Sequence, residues 1–156
     1  MAISPFVARL RQRIGHDLLV LPSVSVLPRD NQGRILFVQL ADSGRWATIG
    51  GAVEPDESPQ DAAIRETQEE AGVTVRLDGL LTVLGGPEFR VTYPNGDVTS
   101  YVVTVFDATV TAGVPTPDGD ETVAVEWWRP DALPYSEMGT LTLALLRAVG
   151  LGQPTS

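Results

Sequence analysis

Cysteine is absent from this chain of 156 residues. Its absence excludes disulfides, zinc–thiolate sites and a thiol nucleophile, and it fits a reducing compartment. Histidine is almost absent. With no second histidine in the chain, His16 reads as structural rather than as a metal ligand. Positive charge is also scarce: 11 basic residues stand against 20 acidic ones, for a formal net charge of −9. A surface this acidic argues against gripping a nucleic-acid backbone by bulk electrostatics. It leaves a phosphate substrate open, provided that metal ions come between protein and phosphate. Long apolar runs are missing too. Stretches such as LLVLPSVSVL contain Pro and Ser, and none approaches the roughly 20 residues that span a bilayer. The start, MAISPFVARLRQRIG, lacks the order of a signal peptide, because its basic residues follow the first apolar ones. These absences predict a cytoplasmic protein with no membrane and no nucleic-acid partner.

What is present is one domain's worth of alternating elements, over residues 1–156. Phe6, Val7, Leu10 and Ile14 recur at helical spacing and predict a helix over residues 5–14, docked on its own domain. Strands are expected from Leu18 to Leu27, over ILFVQL, over VTVRLDGLLTVLGG with a break at Gly79, and over TVAVEWW. FRVTY, PNGD and VTSYVVTVFDATV read as a hairpin, since Asn-Gly between alternating runs is a strong turn signal. A second helix is expected over 58–71 and a closing one over 136–149. The layering that follows is α/β: a mixed β-sheet sandwiched between helices, an α/β/α sandwich.

Helix 58–71 carries the unusual chemistry. Ser58 is a good N-cap, Pro59 suits the first helical position and Gly72 is a natural stop. At about 100° per residue Glu66, Glu69 and Glu70 share one face. Ile64, Thr67 and Ala71 fall on roughly the opposite one and are expected to pack on the sheet. Acidic groups near a helix C-terminus oppose its macrodipole, so stability alone does not favour the cluster. Arg65 can pair with Glu69, but one cation cannot balance three anions. Upstream, Gly50 and Gly51 would allow a tight turn that presents carbonyl oxygens, and Glu57 adds a further carboxylate. Carboxylates with a carbonyl and water form a hard oxygen site, suited to Mg²⁺ or Mn²⁺.

At these residues the chain resembles the Nudix hydrolase family (MutT-like). Gly51, Glu57 and the run Arg65-Glu66-Thr67-Gln68-Glu69-Glu70-Ala71-Gly72-Val73 fill the family's box, G-x5-E-x7-R-E-U-x-E-E-x-G-U, over residues 51–73. Thr67 replaces the usual aliphatic residue, and Ile49 stands where many members have Pro. The resemblance implies a Nudix fold and metal-dependent hydrolysis of a pyrophosphate bond. The substrate would be a nucleoside diphosphate linked to another group: a nucleoside triphosphate, ADP-ribose or a nucleotide sugar. It further implies Glu66, Glu69, Glu70 and the Gly50 carbonyl as metal ligands, and Glu57 in or beside the metal shell. Arg65 would orient the glutamates, and either Glu69 or Glu70 would act as base on water. A further carboxylate outside the box often completes such sites. Among Asp118, Asp120 and Glu121 in the loop PDGDET, Glu121 is the choice. Trp46, Tyr93, Arg45 and Arg90 are weaker candidates for contacts to base or phosphate. The alternative is a non-catalytic nucleotide-binding sensor. Such domains commonly lose box glutamates, and all are kept here. Dimers are common in the family, so a homodimer stays open.

Overall fold

The computed structural model describes residues 3–155. Helix α1 (Pro5–Ile14) begins where Ser4 caps it, the Ser4 hydroxyl accepting the Val7 N–H at 3.2 Å. Its docking is polar as well as apolar. Val7 packs against the core, while Arg11 reaches back to the Val98 carbonyl at 2.8 Å and the Thr99 hydroxyl at 3.1 Å. The strands follow: β1 (Leu19–Arg29), β2 (Ile35–Leu40), β3 (Trp46–Ala47) and β4 (Ile49–Ala52). After α2 (Pro59–Ala71) come β5 (Thr74–Leu84), β6 (Arg90–Thr92), β7 (Val98–Ala112) and β8 (Thr122–Trp128), then α3 (Thr140–Ala148).

All eight strands form one mixed sheet with the path β3-β2-β1-β7-β5. β1 and β7 run parallel from Leu19↔Thr99 to Arg29↔Thr109, and every other pairing is antiparallel. β1 meets β2 only at Arg29↔Ile35. Its other half is taken by β4, from Ser23↔Ala52 to Val26↔Ile49. The sheet therefore forks. One prong is β2 with β3 and β8; the other is β1 with β4 and β7.

Strand alternation sends side chains to two cores. On one face Leu27, Ile35, Phe37 and Val105 pack with Leu145 and Leu146 of α3. On the other Val26, Leu36, Val38 and Ile49 pack with Ala62, Ala63 and Ala71 of α2. Each fully buried large aliphatic or Phe side chain contributes about 1.5–3 kcal/mol. Helices thus cover both faces, and the α/β/α sandwich expected from the sequence stands. Trp127 packs toward the α2 side and Trp128 toward the α3 side, as alternation requires.

Four details differ from the sequence reading. α3 starts at Thr140, because Tyr135–Glu137 closes into a separate 3₁₀ turn and Gly139 is extended. β5 runs through Gly79, where the break appears as a register slip against β7. Gly50 and Gly51 lie in a strand, not a tight turn. Ile64 is 39% exposed; the row that meets the sheet is Ala62, Ala63, Glu66, Thr67, Glu70 and Ala71.

The hairpin from β6 to β7 is fastened to α1 through Asp97. Its carboxylate takes His16 Nδ1 at 2.7 Å and lies 3.6 Å from Arg11 Nε. The hydrogen bond to His16 holds the Asp97 carboxyl below its usual range. A depressed carboxyl contributes stability above its unfolded value near 3.8 and loses it as pH falls through the folded value. Asp97→Asn is therefore expected to lower the melting temperature at pH 7. The gap to the parent closes below about pH 4, which thermal melts across pH will read.

Candidate active site

The site is built where α2 crosses β4. The diglycine is needed for approach, not for bending. A Cβ on Gly50 would stand 2.1 Å from the Val24 carbonyl oxygen, and one on Gly51 would stand 2.3 Å from Glu66 Oε1. Gly51 thus leaves the space that the Glu66 carboxylate fills. The small residues Ala62 and Ala63 do the same from the helix side, so α2 lies close on β4 and carries Glu66 and Glu70 inward. Thr67, fully buried, donates its hydroxyl to the Ala63 carbonyl at 2.7 Å, and its methyl takes the aliphatic position in the core. The αL conformation of Gly72 ends the helix after the last carboxylate.

Arg65 ties the acids together more widely than an i,i+4 pair. Its Nε donates to Glu57 Oε2 at 2.7 Å, Nη1 to Glu66 Oε1 at 2.9 Å and to Glu69 Oε2 at 3.2 Å. Nη2 donates to Glu57 Oε1 at 2.9 Å and to the Ala52 carbonyl at 3.1 Å. This is the planar fork of guanidinium used in full. Arg65 holds the Glu57 carboxyl below its usual range, and Glu57 in turn raises the guanidinium further above its own. Lysine keeps the charge but loses the fork. Arg65→Lys is therefore expected to lower kcat/KM by about 10- to 100-fold, the usual cost of losing an orienting partner, read by steady-state kinetics on a hydrolysed nucleotide.

Glu70 lies outside the reach of Arg65. Burial pushes its carboxyl up, and the charges of Glu66 and Glu121 push it further; the Gly50 N–H pulls the other way. Burial raises Glu66 as well, against the pull of Arg65. Glu121 is held opposite by its neighbour Thr122, whose fully buried hydroxyl donates to the Glu70 carbonyl at 2.9 Å. Asp118 shapes that loop by accepting the backbone N–H of Asp120 and of Thr122. The sequence reading missed Thr122. Its one signal was its place directly after the chosen Glu121, at the start of a strand.

A cavity of about 390 Å³ opens in the fork of the sheet. Glu70, Glu121, Gly50, Gly51, Arg45, Trp46 and Leu141 are among the residues that line it. Trp46 is set by an edge contact to Trp128, centroids 5.8 Å apart at 74°. Glu57, Glu66 and Glu69 are not among the lining residues, and the Glu69 side chain is 57% exposed. Arg90 is exposed and outside the cavity. Tyr93 is bonded hydroxyl to hydroxyl with Tyr101.

Among the described residues no three carboxylates stand ready to hold a metal ion, because Arg65 is interposed between Glu57, Glu66 and Glu69. The donor chemistry nevertheless fits a hard dication. Every candidate ligand is oxygen, and Glu66 and Glu70 are buried side by side with positive charge enough for only one of them. Among the described residues no helix is long and apolar enough to cross a membrane.

Paired glycines under an acidic helix, at the mouth of a cavity in a mixed sheet, define a class of protein, the Nudix hydrolases. The family model of the NUDIX domain matches residues 20–145, and the chain belongs to that family. Nucleoside triphosphatase NudI of Escherichia coli (strain K12 / DH10B) is 30% identical over 129 residues, covering 78% of this chain and 91% of that protein. A MutT-like protein of Streptomyces ambofaciens is 32% identical over 117 residues, covering 75% of this chain and 69% of its own. The crystal structure of a MutT NUDIX hydrolase from Burkholderia pseudomallei superposes with a TM-score of 0.69 at 26% identity, over 84% of this chain and 98% of that one. Across three such curated relatives, the chain spans 66%, 69% and 91% of their length.

Proposed function

We propose that this protein hydrolyses a pyrophosphate bond in a small nucleotide, a nucleoside triphosphate or a nucleoside diphosphate linked to another group, with divalent cations. One observation carries the reading: Glu70, buried beneath the diglycine strand, and Glu121, close enough to raise its pKa, line one cavity large enough for a nucleoside. The relative named as a nucleoside triphosphatase supports the same substrate class.

Glu57, Glu66, Glu69, Glu70 and the Gly50 carbonyl would hold Mg²⁺ or Mn²⁺, with Glu121 beside them. When bound, such an ion neutralises phosphate charge and lowers the pKa of the attacking water. The chain's own part is positioning and proton transfer. Arg65 fixes the glutamates, and Glu70, the box carboxylate that lines the cavity, would take the proton from water once bound cations hold it ionised against its raised pKa. The water oxygen bonds to one phosphorus, the bridging P–O bond breaks, and the leaving phosphate keeps the electron pair. Glu69 is left as a ligand on the open side.

A panel of nucleoside triphosphates, ADP-ribose, dinucleoside polyphosphates and nucleotide sugars, with Mg²⁺ or Mn²⁺ and product analysis, tests this. Turnover to a nucleoside monophosphate and a second phosphate-bearing product is expected. Tight nucleotide binding with no turnover across the panel would make the protein a sensor instead.

A further inference from the structure

Helix α3 begins at the wall of the cavity that Glu70 and Glu121 line. Gly139, Thr140, Leu141 and Thr142 all border it. The start of the helix is tied to the sheet, where Met138 bridges Trp46 of β3 in parallel. No side chain caps it. Gly139 stands at the N-cap, and the Leu143 N–H is the first to bond back, to the Gly139 carbonyl at 3.0 Å. Among the described residues the N–H groups of Thr140, Leu141 and Thr142 therefore have no partner. Solvent ordinarily satisfies such groups, but Thr142 is not in solvent. It is 5% exposed, it lines the cavity, and its hydroxyl makes no hydrogen bond among the described residues. A buried hydroxyl without a partner costs free energy until something that enters the cavity satisfies it.

Arg45 completes this end of the cavity. Its Cδ lies 3.9 Å from where a Cβ on Gly139 would stand, and its Nη1 donates to the Met138 carbonyl at 3.4 Å. Among the described residues no carboxylate pairs with it. Elsewhere in the lining Ser25 and Tyr101 are already bonded, to Thr48 at 2.6 Å and to Tyr93. Val91, Val103, Leu141 and Leu145 make much of the remaining wall apolar. Backbone N–H groups and a guanidinium only donate, while a threonine hydroxyl can do either. Apolar walls with donors gathered at one end match a flat ring whose edge carries oxygen. A phosphate would gain the same donors but give up water against the apolar walls.

We infer that the first turn of α3, with Thr142 and Arg45, recognises the base of the nucleotide and selects one with an oxo group on its outer edge, as in hypoxanthine, guanine or uracil, over the amino-bearing adenine or cytosine. The inference rests on the reading that a nucleotide fills the cavity with its phosphates at the glutamates. The Thr142 hydroxyl and the N–H groups at the helix start donate to the exocyclic oxygen. An amino group in that place sets donor against donor and leaves the N–H groups unpaired.

Nucleoside monophosphates, the product that each proposed substrate yields, test it without turnover. IMP is set against AMP and UMP against CMP, by titration calorimetry on the full chain with Mg²⁺. Each pair differs at that edge by an oxygen against an amino group. In the pair whose ring the cavity accepts, the oxo member should bind about tenfold tighter, the ratio that about 1.4 kcal/mol of differential binding gives. Thr142→Val keeps the shape and should lower that ratio severalfold. Thr142→Ser keeps the hydroxyl and should retain it, with thermal melts checking that both variants are folded. Equal binding within both pairs, tighter binding of AMP or CMP, binding of none of the four, or a ratio that Thr142→Val leaves unchanged overturns the inference. Inorganic phosphate bound with an affinity that Thr142→Val lowers overturns it too, and makes this a phosphate site. An oxo preference with no hydrolysis of any nucleotide keeps the base site and sinks the hydrolase reading; hydrolysis without the preference does the reverse.

Discussion

Glu70→Gln yields a folded protein whose kcat is lower by about 10²- to 10⁴-fold, the usual loss when a positioned acid–base group is removed. Glutamine keeps the shape and removes the proton acceptor. Stability should not fall with activity. The Glu70 carboxyl is buried beside Glu66 and near Glu121, which pushes its pKa up to about 9, so folding must keep it protonated at neutral pH and that costs free energy. An amide in that place sheds the cost and can donate to Glu66. The melting temperature is therefore expected to hold or rise while turnover collapses, which separates loss of chemistry from loss of fold. Glu69→Gln should cost less, since that side chain is more than half exposed and is not among the residues that line the cavity. Steady-state kinetics of the two single variants decide the matter. A Glu69→Gln loss larger than the Glu70→Gln loss would transfer the base to Glu69.

The second large effect is on stability. Gly50→Ala places a methyl 2.1 Å from a backbone oxygen of the neighbouring strand, and no rotamer relieves a clash between Cβ and backbone. β4 must leave β1, or β1 must shift and disturb its long pairing with β7. The expected cost is about 3 kcal/mol, the upper end for overpacking, or a fall in Tm of roughly 6–12 °C at this chain length. Gly79→Ala is the control, since a Cβ there meets nothing within 4 Å. It should stay within about 0.5 kcal/mol of the parent. If the two variants melt alike, the close approach of β4 to β1 is not what the diglycine provides.

How far the sequence reached depends on how local each cause was. Helix α2 was legible to the residue because Ser58, Pro59 and Gly72 act within one turn of their own positions. The box was legible because its spacing is read along a single strand–helix unit. The diglycine was misread as a turn, since its cause lies outside the segment: Val24 on another strand, and Glu66 on the helix laid over it. Ile64 misled for a similar reason. Hydrophobicity suggested that it packs, but the sheet accepts only the small-residue row of Ala62 and Ala63, which rotates Ile64 outward. α3 began late because Gly139 breaks a segment that periodicity alone would join. Arg65 was expected to pair with Glu69 and to orient the glutamates, but which groups its fork reaches was not legible: its bonds to Glu57 and to the Ala52 carbonyl depend on how the loop before α2 folds back. A further cavity, of about 320 Å³ and lined by residues of α1, the hairpin and the loop after β2, left no trace in the sequence, because it needs all three at once.

The fork between β1 and β2 has a consequence for descent. The two prongs are joined there by one residue pair, Arg29↔Ile35, whereas each is broadly paired to its own partners. Residues 42–48 hang on the outer prong, which also carries Glu121, and the box glutamates are carried by the inner one. Insertions, deletions and substitutions in that outer stretch alter the width and lining of the cleft without slipping the register that seats the carboxylates. A new diet can thus be acquired by editing one arm of the sheet, with the box glutamates inherited untouched on the other.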